Sequence, residues 1–217
     1  MTPVPQKPAD RTAAWLITAA VLYSCWLLEL VLPTGLSVFD SYVSELLADD
    51  QPFRWIFRTT DTLAACCLLL AARGLRRWLP APPGARLGSR LADRLVVVAV
   101  VVFAVATLAN TALSLDCAAS ADALCRHREE IGAVSLGHRL HQVTSLLTFG
   151  GALVAFACLE RRTPRWDAGV VVVLLTATGV LSAVLADQPG AGLVQRAQLL
   201  TIAAGLVLLA RSRRRVR

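Results

Sequence analysis

The chain has 217 residues, of which 56% are hydrophobic and only 17% charged, with a mean hydropathy of +0.59. Soluble domains carry about 25% charged residues, so this composition excludes an ordinary soluble enzyme and points to a membrane-embedded protein. The net charge of +7 would suit nucleic acid, but the arginines, including the tail RSRRRVR, lie just beyond apolar segments. Membrane topology and anionic lipid headgroups account for them there, and no nucleic-acid partner is expected.

In chain order, the first apolar segment covers residues 15–32. Lys7 and Arg11 precede it as in a signal peptide. The run is longer than an ordinary signal core and ends in LPTG with no small-x-small cleavage site, so a retained span stopped by Pro33 and Gly35 is expected. The loop SVFDSYVSELLADD then places Val38, Phe39, Tyr42, Val43, Leu46 and Leu47 at i, i+3/i+4 spacing. This predicts a short amphipathic helix lying on the bundle or in the headgroup layer, capped by Ser41 or Asp40. A second segment, 53–72, is interrupted early by Arg54, Arg58 and Asp61, so a re-entrant helix is the alternative to a full crossing. The Pro- and Gly-rich link LPAPPGARLGSR leads to a third segment, 95–115. Cys117 and Cys125, eight residues apart in the next loop, suit a disulfide in an oxidising compartment. Cys25, Cys66, Cys67 and Cys158 fall at membrane depth and read as small apolar packing residues. Segments 140–159, 168–186 and 193–210 complete the set.

Each segment is 18 to 21 residues long, close to the ~20 needed to cross ~30 Å of hydrocarbon. The links leave no room for a soluble domain, so the fold expected is all-α, one polytopic membrane bundle of six spans over 1–217. With the N-terminus inside, the cytoplasmic pieces hold Lys7, Arg11, Arg73, Arg76, Arg77, Arg86, Arg90, Arg94, Arg161, Arg162, Arg165, Arg211, Arg213, Arg214, Arg215 and Arg217. That is 16 of the 22 basic residues against 4 of the 15 acidic ones, which leaves the inner side at +12 and the outer at −5. Short-loop Lys/Arg bias therefore favours both termini in the cytoplasm of a multi-pass cell-membrane protein.

The inner halves of the spans read almost wholly apolar and the outer halves do not. Glu29, Arg54, Arg58, Asp61, Thr107, Asn110, Ser114, His138, His141, Gln142, Ser145, Thr148, Ser182, Asp187, Gln195, Arg196 and Gln198 all fall on the outer side, with every span contributing. At ~100° per residue, Arg54, Arg58 and Asp61 share a face of one span, and Thr107, Asn110 and Ser114 share a face of the next. A charge in the bilayer costs about 2.5 to 3.5 kcal/mol on insertion scales unless it meets a partner or water. The economical arrangement turns the stripes inward around a polar cavity open to the outer surface. Arg58 and Asp61 are alternatively expected to pair with each other or with Arg196. The ligand-binding candidates are Ser44, Glu45, Arg58, Asp61, Asn110, Asp116, His138, His141 and Arg196, the arginines suiting an anion.

Three chemistries fit such a chamber. It binds a lipid headgroup or small polar molecule, with membrane lipids as partners; or it hydrolyses lipid; or it couples transport to protons through Asp61 and His141. For hydrolysis, His138 and His141 at i, i+3 with Asp116, or with Asp61 or Glu45, suit zinc, and His141 with Asp116 suits acid/base work. The spacing differs from H-x-x-x-H, no G-x-S-x-G or P-loop pattern occurs, and the apolar inner halves count against transport. No cofactor is otherwise expected, and the sequence is silent on protein partners.

Ser44-Glu45-Leu46 after the first span, Asp116 closing the third, His138 or His141 opening the fourth, and Gly192 to Arg196 as G-x-x-x-R at the start of the last span resemble a family of bacterial and archaeal membrane proteins, the Domain of Unknown Function 998 family. Its members usually show Phe-Pro before the Asp, where this chain reads SLD. The resemblance covers most of the chain, implies a six-span fold with the motif residues on the outer side, and brings no established activity. A more distant likeness to membrane hydrolases of the alkaline ceramidase type, which use His, Asp and Ser with zinc, stops at their seven spans and third histidine.

Overall fold

The computed structural model describes residues 8–79, 87–162, 166–186 and 188–212. Lys7, Arg86, Arg165, Asp187, Arg213, Arg214, Arg215, Arg217 and most of the Pro- and Gly-rich link lie outside the described residues. The described chain is helical, with no strand: α1 (Pro8–Tyr23), α2 (Arg54–Trp78), α3 (Leu87–Ala112), α4 (Ala123–Glu130), α5 (Leu136–Arg162), α6 (Trp166–Val184) and α7 (Ala191–Ser212), with 3₁₀ segments at Cys25–Leu30 and Val43–Leu47. Six stretches are long and apolar enough to cross a membrane: Arg11–Leu30, Arg54–Arg77, Arg90–Ala112, Leu136–Arg161, Trp166–Val184 and Ala191–Arg211. The second segment is thus a continuous helix of 25 residues, not a re-entrant one.

Consecutive spans pack on one another, and the last closes on the first: α1 on α2, α2 on α3, α3 on α5, α5 on α6, α6 on α7, and α7 on α1. The half of this ring nearer the arginine-rich ends is filled by apolar side chains such as Leu16, Leu68, Leu75, Val100, Phe156 and Leu206. The most extensive contact is α3 against α5, where Gly151 lets the two backbones approach. A Cβ built there would lie 2.7 Å from the Phe103 nitrogen. Phe103 in turn meets Tyr23 edge to face with ring centroids 5.4 Å apart.

The opposite half, here called the acidic end, departs from the sequence reading in three places. The first span is not one helix. Ser24 Oγ donates back to the Ala20 carbonyl at 2.8 Å, and the chain continues as 3₁₀, whose longer rise per residue carries Trp26 and Glu29 into buried positions. The amphipathic stretch after it is only the five-residue 3₁₀ segment, and of the two placements expected it takes the one on the bundle, with its apolar side chains buried. Val43, Leu46 and Leu47 form a second apolar cluster with Trp26 and Phe57, while Phe39 stays exposed. Its start is set by neither Ser41 nor Asp40: the Glu45 carboxylate accepts from the Tyr42 N–H at 3.0 Å. Finally, α6 is nearly apolar, little covered by the rest of the chain, and lines no part of the cavity described below, although Ser182 Oγ is buried.

The loop between α3 and α5 carries a helix, α4, that periodicity did not mark. Asp122 caps it through the Leu124 N–H at 2.8 Å, and the Cys117–Cys125 disulfide pins it, as the sequence anticipated. Closing so short a loop contributes about 2 to 3 kcal/mol by restricting the unfolded chain. Of the remaining cysteines, Cys67 is buried in packing as read, but Cys66 is exposed on the outside of the bundle.

Candidate functional site

At the acidic end, loops and helix starts are fastened by buried polar ties. Arg196, on the first turns of α7, donates to both Glu29 oxygens at 2.7 and 2.5 Å, and to the Ser41 and Gly192 carbonyls at 2.7 and 3.0 Å. Gly192 is required by the close approach of the 37–42 loop, since a Cβ would lie 2.4 Å from the Ser41 oxygen. Arg58 donates twice to the Leu47 carbonyl, at 3.0 and 2.6 Å, and pairs with Asp49 at 2.9 Å. Arg58 and Asp61 therefore do not pair with each other, and neither pairs with Arg196. The i, i+3 spacing puts them on one face, but the long guanidinium turns toward the loop end, where a carbonyl and a carboxylate meet it.

Two further carboxylates act as staples. Glu45 accepts from the Ser120 N–H at 2.8 Å and from the Ser120 hydroxyl, which joins the Val43–Leu47 segment to the α3–α5 loop. Burial pushes its carboxyl above the ordinary range, against the opposing pull of the Ser120 and Tyr42 hydrogen bonds. Asp116 accepts from the Ser135 N–H at 2.8 Å and from the Ser135 hydroxyl, and its own N–H donates to His138 Nδ1 at 3.2 Å. His138 Nε2 lies 3.6 Å from Glu129 of α4. Burial works to raise the Asp116 carboxyl. The two Ser135 hydrogen bonds, with Arg128 adding positive field, outweigh it and hold the group below the ordinary carboxylate range.

A carboxyl lowered by folding stabilises the native state at every pH above its unfolded value, about 3.9, and that contribution disappears as acid protonates the folded form. Amide exchange at Ser135, corrected for its intrinsic rate, is expected to be slow at pH 5 to 7 and to accelerate below about pH 4. Unchanged protection down to pH 2 would contradict the tie.

Beneath these ties lies a cavity of about 90 Å³, room for roughly three waters at about 30 Å³ each. Five of the six spans line it, through Tyr23, Asp61, Asn110, His141, Ser145 and Gln198 among others, and the two 3₁₀ segments add Trp26 and Ser44. Asn110 is positioned by α5: its amide nitrogen donates to Ser145 Oγ at 3.3 Å and to Thr148 Oγ1 at 3.4 Å, and its carbonyl accepts from Thr144. His141, 2% exposed, uses Nδ1 on the Leu113 carbonyl at 2.7 Å, just past the end of α3, while its Nε2 is buried without a partner. Trp26 Nε1 is likewise buried and unpartnered. The Asp61 carboxylate makes no hydrogen bond or ion pair among the described residues, and no lysine or arginine lines the cavity.

The family described as protein of unknown function (DUF998) matches residues 16–212. The chain belongs to the DUF998 family. No curated protein and no solved structure matches it. In this DUF998 chain the residues that carried the resemblance divide by role. Glu45, Asp116, His138, Gly192 and Arg196 sit in the ties, whereas Ser44 and His141 line the cavity with Asp61 and Asn110.

The chamber is thus built without the anion-holding arginines expected from the sequence, since both guanidiniums are neutralised by Glu29 and Asp49. The zinc set of His138, His141 and Asp116 is not assembled either: among the described residues no three His, Cys, Asp or Glu side chains are placed to hold a metal ion. Nor are His141 and Asp116 joined as an acid/base pair. Sequence reasoning missed Trp26, an aromatic in an apolar run with no periodic signal, and Ser120 and Ser135, ordinary loop serines whose partners lie 75 and 19 residues away.

Proposed function

We propose that this protein is a cell-membrane binding protein whose cavity holds a small polar ligand or the headgroup of a membrane lipid. The arginine-rich end lies in the cytoplasm with both termini, and the acidic end faces outside, where an oxidising compartment suits the Cys117–Cys125 bridge. One observation carries the reading. A chain that neutralises its buried arginines leaves the Asp61 carboxylate without a partner among the described residues, on the wall of a cavity at membrane depth, at a cost of several kcal/mol unless something from outside the chain meets it.

In a variant with Cys25, Cys66, Cys67 and Cys158 replaced by alanine, Ser44→Cys is expected to react with a membrane-impermeant maleimide added outside intact cells. Native mass spectrometry of the extracted wild type is expected to show a retained non-protein mass. Reaction only from the cytoplasmic side, or a mass spectrum of bare chain under conditions that keep lipids bound, would count against the reading.

A further inference from the structure

The cavity wall holds polar groups of two kinds, those already spent and those still open. Asn110 is spent on Ser145, Thr148 and Thr144, while His141 Nε2 and Trp26 Nε1 lie too deep for a ligand to touch. Gln198 differs from both. Its side chain is 9% exposed and its amide makes no hydrogen bond among the described residues, yet neither amide atom is sealed from water. One turn earlier on the same face of α7, about 5 to 6 Å away between Cβ atoms, Gln195 Oε1 accepts from the Val43 N–H at 2.5 Å. That bond identifies the oxygen of the amide, so Gln195 Nε2 is a donor, and among the described residues it has no acceptor. Ser44 follows Val43 directly, and its hydroxyl is likewise unspent and lines the same space. Asp61 adds at least one acceptor oxygen, whether its carboxyl is ionised or protonated.

These open groups are mixed in kind. Gln195 and Gln198 offer N–H donors, Gln198 and Asp61 offer acceptors, and Ser44 is either. An anion only accepts and leaves the oxygens unanswered, whereas a cation leaves the amide N–H groups unanswered. A hydroxyl does both, and two adjacent hydroxyls match the donor and acceptor that a primary amide presents side by side. We infer that Gln195 and Gln198 form the recognition element of the cavity and that its ligand is an uncharged vicinal diol, free as in glycerol or carried as the glycerol headgroup of a phospholipid. Room for roughly three waters at about 30 Å³ each suits a group of two or three hydroxyls, which displaces those waters while keeping their hydrogen bonds. This inference rests on the binding function proposed above and names its ligand class.

Saturation-transfer NMR on the full chain in detergent compares glycerol, 2-aminoethanol, tetramethylammonium and methyl phosphate, and native mass spectra are taken from nanodiscs of glycerol, serine, aminoethyl and choline phospholipids. Affinity for glycerol at least tenfold above that for the other three soluble probes supports the free diol. Retention of the glycerol phospholipid over the serine one, which bears the same net charge without a diol, supports the headgroup. Gln198→Met keeps the length of the side chain and removes the amide. It is expected to weaken either effect at least tenfold while leaving the thermal midpoint unchanged or higher, because an unanswered buried amide is removed. A lower midpoint with binding intact makes Gln198 a structural residue and overturns the inference; if the variant does not fold, the wild-type ranking of probes and lipids decides alone. Preference for a charged probe, or equal retention of all four lipids, overturns the diol while leaving a binding cavity in place. If no probe and no lipid binds, the cavity holds water only, and the inference and the binding function fail together.

Discussion

Arg196→Leu is expected to be among the most damaging single changes in this chain, costing about 3 to 5 kcal/mol. The guanidinium and the Glu29 carboxylate are 3% and 1% exposed, so deletion strands a charge that water cannot reach. It also frees the Ser41 and Gly192 carbonyls that the same group satisfies. At about 2 to 4 °C per kcal/mol for a chain of this size, the midpoint of thermal unfolding in detergent falls by on the order of 10 °C. The double variant Glu29→Leu with Arg196→Leu is expected to recover part of that loss, because two apolar side chains in contact impose no desolvation penalty. It does not recover all, since the two carbonyls remain without their donor. If the double variant is as unstable as the sum of the single ones, Glu29 and Arg196 are not coupled and the tie has been misjudged.

That ion pair also marks the limit of what the chain discloses unfolded. Six helices long and apolar enough to cross a membrane, an apolar cluster toward one end of the bundle, and the Cys117–Cys125 bridge are local properties, set by hydropathy and short spacing, and the described residues have them. A charge's partner is not local. Glu29 and Arg196 are 167 residues apart and meet only because α7 closes the ring against α1. Arg58 and Asp61, three residues apart, looked like the natural pair and are not, because a long side chain chooses among groups on other elements. The change from α to 3₁₀ after Tyr23 was equally hidden: Cys25–Leu30 has the composition of a membrane helix, and tertiary contacts of Trp26 and Glu29 override its propensity.

The lining of the cavity was legible in part. Polar residues of four spans do converge, with Asp61, Asn110, His141 and Gln198 lining one space, while Glu29, Arg58, His138 and Arg196 do not. Counting arginines suggested an anion site, but net charge at a site depends on which cations are already answered. Once Arg58 and Arg196 are neutralised in the ties, Asp61 dominates what remains. The ties and the chamber are therefore one design: the pairs that hold the loops down also remove positive charge from the space beneath them.

Gly151 offers the second large effect, with its neighbour as control. A Cβ at Gly150 meets nothing within 4 Å, so Gly150→Ala is expected to be neutral or to gain up to about 1 kcal/mol from helix propensity. The same methyl at Gly151 would sit 2.7 Å from the Phe103 nitrogen and 3.0 Å from the Ala99 oxygen and the Phe103 Cα. These are backbone atoms of α3 and cannot rotate away, so α3 and α5 must separate where their backbones meet, costing about 1 to 3 kcal/mol for alanine and more for Gly151→Val. The consequence reaches the cavity. Asn110 holds Ser145 and Thr148 across this same helix pair, and His141 holds the Leu113 carbonyl, at lengths that leave little slack. Gly151→Ala protein that still folds is therefore expected to unfold at lower temperature and to lose cavity binding, while Gly150→Ala keeps both. Equal thermal midpoints for the two variants would show that α3 and α5 are not as closely apposed as their backbones indicate.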